Sequence, residues 1–187
     1  LAEHDEVFRG TEGELPITDL EYRDPLCEAF IKGAVEEGIP RNKDYNGQFQ
    51  EGVSYVQRTT QGRFRVSAAK AFLNPVKSRK NLTIITNAFV SKVIIENKTA
   101  TGIEFLKGGI RGKKIILKAN KEVILSSGVI KSPDLLQLSG IGPGKYLKEV
   151  GIDVIHDLKG VGMNLRDHFA PRLTARAKNV ETINEKS

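Results

Sequence analysis

Five short runs rich in β-branched residues follow one another from Leu82 to Ser126, and they restrict the folds open to this chain more than any other feature. In order, the runs read "LTIIT", "VSKVIIE", "TGIEFL", "KKIILK" and "EVILS". Residues typical of turns separate the last four runs, at 96–98, 108–112 and 119–121. Consecutive strands joined by short turns predict an antiparallel β meander.

The segment Ser126–Pro143, "SSGVIKSPDLLQLSGIGP", directly follows the last run. Small residues at the end of a strand let another group approach the backbone, and ligands bind at this edge of open α/β sheets. Ser132 and Pro133 predict the start of a helix, and Gly140 predicts its end. A helix N-terminus beside that edge would stabilise an anionic group by about 0.3–1 kcal/mol. A capped helix in a protein core explains the same residues equally well, so both interpretations stay open.

The part of the chain before the meander predicts a mixture of helices and irregular segments. A glycine-turn hairpin is predicted over Phe8–Thr18, followed by a helix that starts at Pro25, with Asp24 as its cap, and stops at Gly38. A polar loop is predicted over 41–65. After it, Ser67 caps a short helix that Asn74 and Pro75 end. Cys27, Ile31 and Val35 recur every four residues, which predicts one apolar face on the first helix. A long irregular loop inside a domain is more often functional than structural.

Composition excludes several classes of protein. The chain has a formal charge of +6, but its densest basic cluster, within 107–121, contains no aromatic residues to stack bases, so we expect no nucleic-acid partner. It has no apolar run of about eighteen residues, so we expect no membrane span. The single cysteine, Cys27, excludes an internal disulfide, and the polar first residues are not a signal peptide. A cytoplasmic location is therefore expected.

A DNA-binding alternative has to be weighed against a ligand site. The stretch "LLQLSGIGPGKYLKEVGI" resembles a helix-hairpin-helix motif, in which a glycine hairpin offers backbone amides to phosphates. The basic pI of about 9.4 favours this alternative. Tyr146 opposes it, because the motif packs a small residue between its helices at that position. The preceding strand and Ser-Ser-Gly also have no role in a helical DNA-binding module, so this remains the second hypothesis.

Together with the surrounding sequence, "EVILSSGVIKSPDLLQLSGIGP" resembles the second signature of the glucose–methanol–choline (GMC) oxidoreductases, flavoenzymes that oxidise alcohols with FAD. Four further stretches resemble blocks of this family in the right order: "DYNGQFQEG", "GRFRVSAAKAFLNP", "NLTIITNAFVSKVIIE" and "GVGMNLRDH". Together the blocks cover most of residues 10–170, which makes the resemblance far more specific than a single glycine motif.

The resemblance implies a mixed α+β fold: part of an FAD-binding α/β domain with an antiparallel β meander, plus part of a substrate-binding domain. Residues 1–80 would belong to the substrate domain, 81–165 to the FAD-binding domain, and 166–187 to the start of a return to the substrate domain. FAD is the implied cofactor, and Val90 in "NAFVSKV" matches the position whose backbone contacts its adenine. The edge at Ser127-Gly128 would lie near the core of the flavin domain. Without the resemblance, Val90 is an ordinary strand valine.

Two parts of the family pattern are not found in this sequence: the GxGxxG dinucleotide loop and the catalytic pair, a histidine with a second histidine or an asparagine. "GIGPG" and "GVGMNL" break the spacing of that loop. His4 precedes the matching blocks, His156 suits a partly exposed strand, and His168 belongs to an Asp-His pair that we interpret as organising a loop. We therefore expect a central fragment with no catalytic residue and no metal ligands, inactive by itself.

For the complete protein, the resemblance implies hydride transfer from a small-molecule alcohol to the flavin. A base would remove the hydroxyl proton, and oxygen or another electron acceptor would reoxidise the cofactor. Choline-oxidising members carry a glutamate two residues after the Asp-His, where this chain has Ala170. The lost carboxylate predicts a neutral alcohol over choline. A third hypothesis is a non-catalytic binding or structural module derived from the family.

Overall fold

The computed structural model describes residues 7–180, so His4 and the end of the chain from 181 lie outside it. The chain forms two compact units, one up to Ile84 and again from Thr174, the other Ile85–Leu173. The assignment of 1–80, 81–165 and 166–187 to substrate and FAD-binding domains stays a prediction.

The helix predicted after Asp24 is confirmed in the first unit. Helix α1 spans Pro25–Glu36, and the Asp24 carboxylate accepts the N–H of Leu26 at 2.9 Å. Gly38, with φ of +90°, follows its end in the left-handed conformation that glycine adopts most easily. The predicted apolar face is only partly buried, because Ile31 is 4% exposed whereas Val35 is 44% exposed.

The hairpin predicted over Phe8–Thr18 is wrong. In the structure Thr18 pairs with Arg58 in an isolated antiparallel bridge, with N–H···O distances of 2.8 and 2.9 Å. The side chain of Arg9 bonds the carboxylate of Asp44, with 3.1 Å from Nε to Oδ2, and also the amide of Gln57. A glycine turn does not select its pairing partner, and here distant residues offered better partners for this segment.

The remainder of the first unit is mostly irregular, as predicted for 41–65. It contains a two-stranded antiparallel ribbon, β1 (Thr60–Gln61) and β2 (Phe64–Arg65). A single π-helical segment, Ala69–Leu73, follows where a short helix was predicted. The Ser67 hydroxyl accepts the N–H of Lys70 at 3.3 Å, which agrees with its predicted capping role.

The predicted meander is confirmed for its three central strands in the second unit. Strands β3 (Ala88–Glu96), β4 (Thr99–Lys107) and β5 (Lys113–Lys118) form an antiparallel sheet in that order. The β3–β4 turn contains Asn97 and Lys98, both with positive φ, as expected in a two-residue hairpin turn whose twist suits the flanking strands.

The first and last predicted strands are wrong. "LTIIT" and "EVILS" form no strand in the described part of the chain. Ile84 and Ile124 on these segments are 46% and 75% exposed. β-Branched residues favour extended backbone, but a strand also needs a neighbouring strand to hydrogen-bond with, and local sequence does not specify that neighbour.

After the sheet the chain forms short helices and strands. They are α2 (Gly128–Leu138), β6 (Ile141–Gly142), α3 (Gly144–Glu149) and β7 (His156–Asp157). Strands β6 and β7 pair in parallel. Within residues 7–180, no helix combines the length and the apolar character needed to cross a bilayer.

A hydroxyl group joins α2 to the sheet at the core of the second unit. Ser139, which is fully buried, donates to the carbonyl of Leu135 at 2.6 Å and accepts the N–H of Val93 at 2.8 Å. Strand β3 is an edge of its sheet, so the outward N–H of Val93 has no strand to pair with there. Val93, Leu135 and Phe105 are each at most 5% exposed around this contact.

We expect Ser139→Ala to lower the stability of the full-length protein by about 1–3 kcal/mol, because it leaves a buried N–H without an acceptor. Urea unfolding of the two proteins measures the difference. Ser132→Ala is the control: its hydroxyl accepts the exposed N–H of Ser127 at 3.0 Å, which water can replace. An equal decrease in the free energy of unfolding for Ser139→Ala and Ser132→Ala would contradict the role given to Ser139.

Candidate cofactor site

A cleft of about 320 Å³ lies against the three-stranded sheet in the second unit, lined by residues of β3, β4 and β5 and of the segment that leads to α2. Val90 lines it together with Ser127, the residue before α2, and its apolar walls include Leu117 and Leu135. The structure therefore places the predicted Val90 and the predicted small-residue edge at one cleft. Neither residue's contact with a cofactor is tested by this placement.

The register of β3 and β4 determines where the backbone of Val90 points. The N–H of Gly108 donates to the carbonyl of Asn87 at 2.8 Å, and Val90 lies opposite Phe105, three pairs further along β4. Hydrogen-bonded and non-hydrogen-bonded pairs alternate in an antiparallel ladder, so Val90 is in a non-hydrogen-bonded pair. The other side of the bulge gives the same result. The N–H of Val93 bonds Ser139 outside the sheet, so the pair of Val93 with Ile103 is non-hydrogen-bonded, and alternation along β4 makes the pair at Phe105 non-hydrogen-bonded as well. The N–H and C=O of Val90 therefore point to the open side of β3.

A β-bulge at Ser91 allows the main chains of Val90 and Val93, an odd number of residues apart, both to face the open side of β3. Val90 lies opposite Phe105 and Lys92 lies opposite Glu104, so β3 has one residue more than β4 at this point. Bulges change the direction of neighbouring backbone and side-chain groups. The alternating sequence pattern of "FVSKVII" contained no signal that would have placed the bulge.

The helix after the small-residue edge starts earlier than predicted. Ser132 and Pro133 were predicted as cap and first residue, but α2 begins at Gly128 and contains Pro133 in its interior. The hydroxyl of Ser132 instead accepts the N–H of Ser127. Pro133 has a helical φ, but it has no N–H to donate to the carbonyl of Val129 and its ring crowds that carbonyl, so the turn before it forms at a cost. Gly140, with φ of +82°, follows the helix as predicted.

A carboxylate on the sheet is held by a cation and a hydroxyl. Glu104 contacts Lys114 Nζ at 2.9 Å through one oxygen and accepts the hydroxyl of Ser91 at 2.9 Å through the other. The hydrogen bond from Lys114, followed by that from Ser91, holds the pKa of Glu104 below its ordinary value. Sequence reasoning missed this cluster, because its members come together only through the strand register.

The glycine-rich stretch after α2 is used for packing within the protein. A Cβ at Gly140 would lie 2.5 Å from the carbonyl of Asp153. The N–H of Gly144 donates to Asp157 Oδ1 at 2.9 Å. An amide that already binds a carboxylate is a poor contact for a phosphate, so the helix-hairpin-helix alternative loses its main support. A neighbouring cleft of about 710 Å³ is lined by Gln137 and Asp157, whose polar atoms bond within the protein.

The two histidines within residues 7–180, His156 and His168, do not line the Val90 cleft. His156 is an exposed residue of β7, and His168 is exposed in an irregular segment, where its N–H donates to Asp167 Oδ1 at 2.9 Å. Ala170 is exposed in the same segment. Among residues 7–180, no three His, Cys, Asp or Glu side chains are grouped so that they could hold a metal ion.

Comparisons with known proteins match this fold. The family model described as "GMC oxidoreductase" matches residues 2–170. The chain belongs to the GMC oxidoreductase family. Oxygen-dependent choline dehydrogenase of Rhizobium rhizogenes is 47% identical over 88% of this chain and 29% of its own length. Alcohol dehydrogenase [acceptor] of Pseudomonas putida is 41% identical over 92% of this chain and 31% of its own length.

A solved structure of an FAD-dependent oxidoreductase from Chaetomium thermophilum aligns with a TM-score of 0.83 and 34% identity, covering 89% of this chain and 29% of that one. The prediction of the family and of a mixed fold with an antiparallel sheet is thereby confirmed, and the FAD cofactor that the GMC resemblance implied agrees with it. The chain spans about 29% of the length of the first curated relatives that it matches.

The low pKa of Glu104 predicts a pH-dependent effect of Glu104→Gln. A carboxylate whose pKa is lower in the folded state stabilises the protein above its unfolded pKa, about 4.3, and loses this effect as the pH falls through the folded value. We expect the variant to be less stable than the wild type at neutral pH and equally stable in acid below that value. Urea midpoints measured across this range test the expectation, and a stability difference that is independent of pH would contradict it.

Proposed function

We propose that this chain is part of an FAD-dependent oxidoreductase that oxidises the CH–OH group of an alcohol, and that the Val90 cleft contributes to its FAD site. The GMC family match over residues 2–170 supports the class of reaction. The observation that carries the site is the register of β3, which turns the main chain of Val90 towards its open edge, beside the cleft.

The chemistry of the cleft fits part of FAD. Its apolar side chains, including Val90, Leu117 and Leu135, suit a flat heterocycle, and main-chain polar groups at the edge can recognise the ring nitrogens. A volume of about 320 Å³ suits one ring system better than a whole dinucleotide. Helix α2 begins beside the cleft at Gly128, so its N-terminal amides favour a nearby anionic group.

The residues of this chain are assigned binding and orientation. Val90 would hold the adenine end through its main chain, and Ser127 with the start of α2 would border the site. Bound FAD supplies the acceptor for the hydride of the alcohol. Proton transfer is not assigned to His168, because its exposed position and its local bond to Asp167 suit a loop-organising role. The catalytic pair and the dinucleotide loop of the family match no segment of this sequence.

Flavin content tests the proposed cofactor. The full-length protein that contains this chain should purify yellow or bind added FAD, and denaturation should release FAD rather than FMN. Reduction of the bound flavin by an alcohol under anaerobic conditions, followed by its absorption, would test the reaction. A folded full-length protein that neither contains nor binds FAD would contradict this proposal and favour the non-catalytic module.

Two classes of alcohol are candidates for the substrate. Choline is supported by relatives named choline dehydrogenase, which are up to 47% identical to this chain. An uncharged alcohol is supported by Ala170, which stands where choline-oxidising members carry a glutamate, and by a 41% identical relative named alcohol dehydrogenase [acceptor]. The relatives make choline at least as strong a candidate as a neutral alcohol. The electron acceptor that reoxidises the flavin, either oxygen or another molecule, is part of the same proposal.

Kinetics with a matched pair of alcohols distinguishes these substrates. Choline and its uncharged isostere, in which a tert-butyl group replaces the trimethylammonium group, differ in charge but hardly in shape. If Ala170 sets a neutral preference, kcat/KM is higher for the isostere, and Ala170→Glu shifts the ratio towards choline by roughly two- to fivefold, the effect of a solvent-exposed ion pair. A wild-type enzyme that strongly prefers choline would contradict the interpretation of Ala170.

A further inference from the structure

A network of three side chains crosses the sheet at the bulge. The Ser91 hydroxyl donates to Oε1 of Glu104 at 2.9 Å and lies 3.2 Å from the carbonyl oxygen of the same residue. The other carboxylate oxygen of Glu104 is 2.9 Å from Nζ of Lys114. The side chain of Glu104 is only 20% exposed, whereas that of Lys114 is 62% exposed. Strands β3, β4 and β5 each contribute one member.

The network holds the residue that creates the bulge. Ser91 is the extra residue of β3 and has no residue of β4 paired with it in the register. Its hydroxyl bonds both the main chain and the carboxylate of Glu104, and these bonds determine where the extra residue is accommodated. If the bulge were lost and the pairing of Val93 with Ile103 were kept, Ser91 would lie opposite Phe105 and Val90 opposite Leu106, in a hydrogen-bonded pair. The main chain of Val90 would then face β4 instead of the open edge.

We propose that the Ser91–Glu104–Lys114 network is a positioning element of the FAD site, which holds the bulge that turns the main chain of Val90 towards the cofactor. This inference rests on the proposed function. It assigns no contact between the network and FAD. Glu104 lies on the face of β4 opposite that of Phe105, because successive side chains of a strand point to opposite faces, and Phe105 is buried.

Binding of FAD to the deflavinated full-length protein tests this role. Ser91→Ala should raise the Kd for FAD about three- to tenfold, the factor that corresponds to one hydrogen bond of ordinary net strength. At saturating FAD, kcat and the KM for the alcohol should equal those of the wild type. The absorption bands of the bound flavin should not move, because the change acts at the adenine end.

Two further variants and a matched control separate positioning from general destabilisation. Ser91→Thr keeps a hydroxyl, so its affinity for FAD should be close to that of the wild type. Glu104→Gln keeps an acceptor for the Ser91 hydroxyl but loses the charge that pairs with Lys114, so it should weaken FAD binding less than Ser91→Ala does. Thr101→Ala is the control. Thr101 lies at a second irregularity of the same strand pair, and its hydroxyl contacts the carbonyl of Ile94 at 3.5 Å. Removing the Thr101 hydroxyl should leave the Kd for FAD unchanged.

Each outcome supports or overturns the inference. If the wild type binds FAD and Ser91→Ala binds it equally well, or if Thr101→Ala weakens binding as much, the positioning role is wrong while the proposed function stands. If the wild-type protein binds no FAD, both are wrong. If Ser91→Ala does not fold, the test passes to Glu104→Gln and Ser91→Thr, and unchanged affinity in Glu104→Gln overturns the role.

Discussion

The buried hydroxyl of Ser139 is the interaction on which the second unit depends. It accepts the N–H of Val93 and donates to the carbonyl of Leu135, so one side chain satisfies an edge of the sheet and joins it to the end of α2. A buried main-chain N–H without an acceptor is costly. The apolar contacts of Val93, Phe105 and Leu135 can therefore form without leaving that polar group unsatisfied.

The same edge of β3 serves two purposes along its length. At Val93 its outward amide is used within the protein, and at Val90 the main chain faces the open side of the strand. The bulge at Ser91 separates these two positions by three residues while keeping both on the open side. A regular strand would turn every second main chain outwards, so Val90 and Val93 could not both face the open side. The irregularity is therefore central to the proposed FAD site, and the cluster around Glu104 accounts for its position.

Predictions from sequence succeeded where the physical cause is local. Asp24 and Pro25 begin a helix because a carboxylate and a proline suit its first turn, and Asn97 and Lys98 fit a short hairpin turn between strands that pair with their neighbours in sequence. They failed where the partner is distant. The segment around Phe8 contains a glycine turn but bonds elsewhere, and the "EVILS" run forms no strand in the described part of the chain.

The sequence by itself determined the family, the order of the central strands, both ends of α1 and the C-terminal end of α2, because these depend on motif identity and on short-range backbone preferences. Only the tertiary structure decided the strand register, the bulge at Ser91, the bond between Ser139 and Val93, and hence the direction of the Val90 main chain. The physical reason is that each of these depends on pairing between residues far apart in the chain. A side chain's type shows what it can bond, but not which distant group will be within reach.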